Sequence, residues 1–165
     1  MQRVPSGYTR SVTQHRHRAM NTESRYDQDY YLWFADQARL LRAGTWQQID
    51  VQHLAEELED MGKREKRALR SRAVVLLAHL LKYKFQPQHR SASWSGTIRE
   101  QRQQLIGLIS DSPSLRPQLQ EELQDSYISA SLLAAGETGL AETVFPEQCP
   151  FSIDQLLDPD YWPDS

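Results

Sequence analysis

The chain has 165 residues, a mass of 19.2 kDa and a formal net charge of −3 at pH 7. Its one cysteine, Cys149, excludes an internal disulfide framework and a zinc site built from several cysteines. No run approaches the roughly 18 apolar residues of a membrane-spanning helix. With only seven glycines and few β-branched runs, the composition predicts an all-α chain.

The small net charge conceals a very uneven distribution of charge along the chain. The balance is +4 over 1–25, −6 over 26–62, +8 over 63–90, zero over 91–115 and −9 over 116–165. A basic central segment is therefore flanked by acidic segments, and the near-neutrality is a cancellation. The open question is whether the protein's own acidic groups cover the basic segment or leave it to an anionic partner.

The first 25 residues show no hydrophobic period and carry five arginines against one glutamate. They lack the apolar stretch of about 7–15 residues that a secretory signal requires. We therefore predict a disordered basic tail over 1–25, with Met20 as a possible natural start, and a single helical domain over 26–165.

The first helix is predicted over 28–42, with Asp27 as its N-cap and Gly44 just beyond its end. Its apolar stripe includes Tyr30 and Phe34, which lie one turn apart.

A second helical region opens after Asp50 and runs to Phe85, where Gln86-Pro87 ends it. Gly62 offers a break or kink that would divide this region into pieces near 51–61 and 63–85.

Two further helices are predicted over 95–110 and 115–135, the second one closed by Gly136 and Gly139. The tail 140–165 is rich in proline and acidic residues, with Ser152 and Gln155 spaced as the capping box of one short helical turn. Short links between amphipathic helices predict an antiparallel bundle of four to five helices with an irregular C-terminal tail.

Several polar residues interrupt the apolar stripes of these helices, and they form the candidate polar site. Its members are Glu57, Glu65, Arg72, His79, Trp94, Gln101 and Arg102. A buried charge must be paired and hydrogen-bonded, so we expect Glu65 to form an ion pair with Arg72 or Arg102. The site is interpreted either as a ligand pocket between helices or, preferably, as a network that only fixes the helix register.

Two histidines are candidates for a reactive or metal-ligating group. His79 lies in a Leu-Leu-Ala-His-Leu-Leu run and is expected to be a core histidine bonded to a neighbouring helix. His53 and Glu57 have the i, i+4 spacing of two metal ligands, but a metal centre needs three or four ligands. No metal and no cofactor are therefore predicted.

The basic run within 63–84 could follow the phosphates of a nucleic acid, with Tyr83, Phe85 and Trp94 available for stacking. A solvated face or a charge match within the molecule is the preferred interpretation. Nucleophilic catalysis has little support, because Cys149 lies in an acidic tail and no strand precedes the Ser93 segment.

Long strings in the chain resemble the bacterial family named domain of unknown function 29. They cover 26–44, 54–72, 76–102, 112–119, 137–140 and 145–163. The family pattern emphasises Glu-Asp-Met-Gly at 59–62, Gln86-Pro87, Trp94 and Gln101-Arg102, and all are present in this chain. The resemblance implies a small, soluble, all-helical bacterial protein, and it brings no activity and no catalytic residue with it.

The leading interpretation is a non-enzymatic binding or interaction module in the cytoplasm, with an unknown protein or a second copy as its partner and no membrane association. One alternative is a metal-assisted hydrolase or nuclease that uses Glu57, Glu65, His79 and Arg102. The other alternative is nucleic-acid binding through the basic helix 63–84.

Overall fold

The structure is a computed structural model that describes residues 25–164. Within this range the chain is helical with irregular links and contains no strand, which confirms the all-α prediction. The predicted basic tail lies outside the described residues, apart from Arg25. No helix among residues 25–164 is long and apolar enough to cross a membrane.

Residues 25–28 are helical, and six further α-helices and three short 3₁₀ turns follow in the described part of the chain. The helices are α1 Tyr30–Arg42, α2 Val51–Phe85, α3 Ala92–Asp111, α4 Leu115–Glu121, α5 Leu123–Thr138 and α6 Ile153–Leu157. The 3₁₀ turns are Trp46–Gln48, Pro87–His89 and Glu142–Val144.

The chain divides into two compact units, of which the first ends at Asp60. It contains α1, the turn Trp46–Gln48 and the start of α2. Asp29 caps α1 by accepting a hydrogen bond from the Leu32 N–H, two residues later than predicted. Trp33 and Leu40 are its buried apolar side chains.

The second unit begins at Met61 and holds the main apolar core. Here α3 contacts α4 and α6, α4 contacts α5, and α5 contacts the turn Glu142–Val144. Its core residues with zero exposure are Ala73, Leu76, Leu77, Ala78, Leu80, Leu81, Ile98, Leu105, Ala130, Ala134 and Leu156.

Two predicted helix boundaries are corrected by the structure. Helix α2 passes Gly62 without a break, because a single exposed glycine costs a helix only about 1 kcal/mol and its neighbours are good helix formers. The predicted helix 115–135 is instead two helices, separated at Glu122, whose N–H donates to the carbonyls of both Gln118 and Gln120.

The chain beyond α5 follows the predicted signals more closely. Gly139, with φ +71°, provides the left-handed residue that ends α5, whereas Gly136 lies inside the helix. The predicted capping box is confirmed, since Ser152 and Gln155 each accept the backbone N–H of the other.

The two glycines near the end of α5 should respond oppositely to alanine. Gly139→Ala places a Cβ on a left-handed residue and should lower the free energy of unfolding by about 1 kcal/mol. Gly136→Ala, in the helix interior with open space around its Cβ position, should raise it by roughly 0.5–1 kcal/mol. Urea denaturation measures both, and equal signs for the two variants would contradict this account of the helix end.

Candidate functional site

The carboxylate of Glu57, on α2 in the first unit, is buried and hydrogen-bonded by two tyrosines. Its exposed fraction is 7%. The Tyr26 hydroxyl donates to Oε1 at 2.6 Å, and the Tyr30 hydroxyl donates to Oε2. The bond to Glu57, together with burial, raises the pKa of Tyr26 to about 12. Two O–H donors thus replace the water that this carboxylate gave up on burial.

Asp50, just before α2, organises the groups around His53. Its Oδ2 lies 2.8 Å from His53 Nδ1 and accepts from the Trp33 indole N–H at 3.3 Å. Its own backbone N–H donates to the Gln37 side chain at 2.9 Å, which explains why a glutamine interrupts the α1 stripe. The Tyr26 ring stacks on the His53 ring at 4.1 Å between centroids.

The Asp50–His53 pair shifts both pKa values toward the charged forms. The hydrogen bond to Asp50 raises the pKa of His53, outweighing partial burial. Burial raises the pKa of Asp50, but the hydrogen bonds from His53 and Trp33 overcome it and the pKa ends below its usual value. With Nδ1 held by a carboxylate, His53 can exchange a proton only at Nε2, as in a histidine oriented for acid–base work.

Glu65, a member of the candidate site, does not form the predicted ion pair. It is exposed on α2, in a stretch from 62 to 67 where every residue is exposed. Arg72 instead donates to the Gln101 side chain at 3.2 Å. Because every residue of α2 from 62 to 67 is exposed, the helix has no buried side at Glu65, whereas Arg72 and His79 are partly buried.

Arg102, on α3, is the most deeply buried charge of the candidate site, with an exposed fraction of 1%. Its guanidinium donates to four backbone carbonyls near the end of the chain. These are Leu156 O at 2.9 Å, Tyr161 O at 3.0 Å, Pro159 O at 3.3 Å and Gln155 O at 3.5 Å. Several of them belong to or follow the last turn of α6, where carbonyls have no helical partner. Arg102 therefore holds the C-terminal segment rather than an ion pair with Glu65.

His79, on α2, is half-buried and bonds within its own helix. Its Nδ1 lies 2.9 Å from the Val75 carbonyl, so the predicted bond to a neighbouring helix is wrong. Burial lowers the pKa of His79, and the nearby Lys82 ammonium adds to this effect. The spacing i, i−4 explains the contact, because a side chain on a helix leans back over the preceding turn.

Lys82 is a buried cation that the sequence pattern did not single out from the basic run. Its exposed fraction is 5%, and its ammonium forms an ion pair with Glu137 of α5. The same ammonium lies 4.7 Å from the ring centroid of Trp94, in a cation–π contact. Ala78 lies one turn before Lys82 and Leu81 lies next to it, and both are buried. These apolar neighbours indicate that position 82 faces the core.

The candidate polar residues are thus distributed over separate local networks. Arg72 meets Gln101, Trp94 meets Lys82, Arg102 meets the C-terminal carbonyls, and Glu57 meets two tyrosines that sequence reasoning missed. Among residues 25–164, no group of three or more His, Cys, Asp or Glu side chains could hold a metal ion.

The basic run 63–84 divides into two parts. At its C-terminal end, Lys82 is paired and Lys84 donates to the Asp164 carbonyl at 3.3 Å. At its N-terminal end, four exposed cations make no ion pair or side-chain hydrogen bond with any described residue. We call Arg64, Lys66, Arg67 and Arg70 the basic stripe.

Removing the Arg102 guanidinium should detach the C-terminal segment. Arg102→Met keeps the apolar stem but leaves four carbonyls without their donor, and should lower the free energy of unfolding by about 2–4 kcal/mol. Urea denaturation measures the loss, and hydrogen exchange at residues 153–161 should accelerate most. Arg70→Met, which removes an exposed arginine of the basic stripe on α2, is the matched control and should change stability far less.

His53 and His79 should have pKa values on opposite sides of the ordinary histidine value of 6.5. NMR should find the pKa of His53 above this value and that of His79 below it. Because the pKa of His53 is raised on folding, its stabilising contribution is complete below pH 6.5 and is lost as the pH rises through the folded pKa. Asp50→Asn should return the pKa of His53 toward its ordinary value, and a His53 pKa that stays raised in this variant would contradict the assignment.

The family model described as Domain of unknown function DUF29 matches residues 25–162, so the chain belongs to this family and the resemblance is confirmed. No curated protein and no solved structure matches the chain. The description of the family assigns no activity, and the function has to be argued from the side chains themselves.

Proposed function

We propose that this member of the DUF29 family is a non-enzymatic binding module that engages the phosphodiester backbone of a nucleic acid through the basic stripe. One observation carries the proposal: Arg64, Lys66, Arg67 and Arg70 are exposed and have no acidic partner among residues 25–164. Four like charges side by side repel one another, and an anionic partner would relieve that repulsion.

The position of the basic stripe suits an elongated partner. The four residues fall within two turns of α2, and a rise of 1.5 Å per residue spreads them over about 9 Å. This length corresponds to two or three phosphates of one strand, which are spaced by about 3.4 Å along a duplex. Leu69, within the same stretch, is buried in the core of the second unit, which fixes the helix beneath the stripe.

The side chains of the basic stripe are suited to phosphate groups and not to uncharged or apolar partners. Three of the four are arginines, whose planar guanidinium groups bind phosphate oxygens with two parallel hydrogen bonds. If the contacts are limited to the nucleic-acid backbone, the affinity should depend strongly on salt concentration and only weakly on base sequence.

The polar residues with potential for catalysis support binding rather than chemistry. Arg102, Lys82 and Gln101 are each buried and engaged in contacts that hold the fold. The hydrolase or nuclease alternative needs Glu65, His79 and Arg102 to act at one centre, yet Glu65 is exposed and the other two bond to backbone carbonyls. The bacterial origin that the family resemblance implies and the predicted cytoplasmic location belong to the same proposal.

The test is binding of a fluorescein-labelled DNA duplex measured by fluorescence anisotropy over a range of salt concentrations. The wild-type affinity should fall with a slope of about −2 to −3 in log K against log salt, as expected for two or three neutralised phosphates. The variant with Arg64, Lys66, Arg67 and Arg70 all changed to Gln should bind at least about tenfold more weakly and show a much shallower slope.

A matched control removes the same amount of positive charge elsewhere. Its four substituted residues are Arg39, Arg42, Arg99 and Arg116, all exposed and all changed to Gln. This control should retain most of the wild-type affinity. Equal losses in both variants would reduce the effect to net charge, and tighter binding of polyglutamate than of DNA would indicate an acidic protein partner; either result would refute the proposal.

A further inference from the structure

Helix α5 carries a row of large apolar side chains on its solvent side. Ile128 and Leu132 lie one turn apart and are 50% and 51% exposed, and Leu133 next to them is also exposed. Gly136 continues the same line one turn later, and a Cβ added there would meet nothing within 4 Å. We call Ile128, Leu132, Leu133 and Gly136 the outer face of α5.

The opposite side of the helix is equally apolar and is already used. Tyr127, Ala130 and Ala134 are buried in the core of the second unit, and the Tyr127 hydroxyl donates to the Pro146 carbonyl at 2.6 Å. Large apolar side chains therefore lie on both sides of α5, whereas a surface helix normally turns a polar side to water. Asp125 is the charged residue on the outer side, one turn before Ile128.

The charges around the outer face define what could cover it. Asp125, one turn before Ile128, and Glu142, just after the helix, are exposed. From residue 116 to residue 164 the chain carries ten acidic side chains and a single cation, Arg116, which is paired with Asp154. An apolar surface rimmed by uncompensated carboxylates is complementary to an apolar surface rimmed by Lys or Arg.

Parallel self-pairing of α5 conflicts with the same charges. A parallel pair would place Asp125 of one copy beside Asp125 of the other. This arrangement brings like charges together, which is unfavourable at close range.

We propose that the outer face of α5 is a docking surface for a cationic amphipathic helix of another protein. The apolar side of that helix would cover Ile128, Leu132 and Leu133, and its Lys or Arg side chains would meet Asp125 and Glu142. An α-helix is the fitting partner because apolar residues one turn apart on α5 match the i, i+4 spacing of a second helix. The small Gly136 lets the partner backbone approach the C-terminal end of the face.

The experiment uses the whole chain and a synthetic probe. The probe is a helical peptide of about 18 residues, with leucine on one face and lysine on the other, long enough to form four to five turns. Isothermal titration calorimetry should detect binding of this peptide, with a negative heat-capacity change from apolar burial. The double variant Ile128→Gln, Leu132→Gln should bind at least about tenfold more weakly, and because both side chains are exposed it should keep the wild-type circular dichroism.

Three controls make the result decisive. Ile106→Gln, an exposed apolar residue of α3, should leave the affinity within about twofold of wild type, since surface substitutions away from the contact have little effect. A peptide with glutamate in place of lysine should not bind, and Asp125→Asn should weaken the lysine peptide and flatten its salt dependence. The variant that lacks the basic stripe should bind the lysine peptide normally, which separates this proposal from nucleic-acid binding.

Several outcomes would overturn the proposal. Unchanged peptide affinity in the Ile128, Leu132 double variant would show that the peptide binds elsewhere. Equal binding of the glutamate peptide would remove the charge argument. A concentration-dependent dimer in analytical ultracentrifugation that the double variant dissociates would assign the outer face of α5 to a second copy of the chain instead.

Discussion

The cost of removing a charge from water governs how this chain uses its polar residues. Among residues 25–164, three side chains with ionisable groups are almost entirely buried, namely Glu57, Lys82 and Arg102, and each has different partners. Two hydroxyl donors hold the carboxylate, an acidic side chain and an indole ring hold the ammonium, and backbone carbonyls hold the guanidinium. Removing one partner from such a pair is strongly destabilising, so these residues are committed to structure before any function is considered.

The same rule identifies the groups that are left for recognition. Within the described chain, four exposed cations without a partner lie together in the basic stripe of α2, and the uncovered apolar side chains of the second unit lie most densely on α5. The first surface is cationic, and the second has acidic residues at its ends. The acidic side chains of the described residues leave the basic stripe without an ion pair.

Much of the fold follows from local patterns in the sequence, because helix periodicity and end signals act within a few residues. Leu76, Leu80, Ile98 and Leu105, which recur at helical spacing in the sequence, are all buried, and Ser152 with Gln155 forms the predicted capping box. The break at Glu122 escaped prediction because nothing in Glu-Glu-Leu-Gln differs from a good helix interior.

The partners of the candidate polar residues were much harder to predict. Arg102 was recognised as a buried charge, but its acceptors are main-chain oxygens more than 50 residues away, and every residue carries such an oxygen. Glu57 accepts hydrogen bonds from Tyr26 and Tyr30. The sequence pattern places these tyrosines only in the first predicted helix and just before it. A charged residue on an apolar helix stripe shows that a buried charge needs a partner. Only tertiary packing decides which of many equivalent groups is that partner.

The way in which Arg102 grips the C-terminal segment bears on how this family can diverge. The hydrogen bonds from the Arg102 guanidinium go to main-chain carbonyl oxygens, which every residue carries. These bonds require the backbone to keep its path and its length. The Asp158 side chain adds a local contact by accepting the Asp160 backbone N–H at 2.9 Å, whereas an insertion or deletion of one residue between 155 and 161 would misplace all the carbonyl acceptors. Selection on this segment is accordingly expected to preserve spacing more strictly than residue identity.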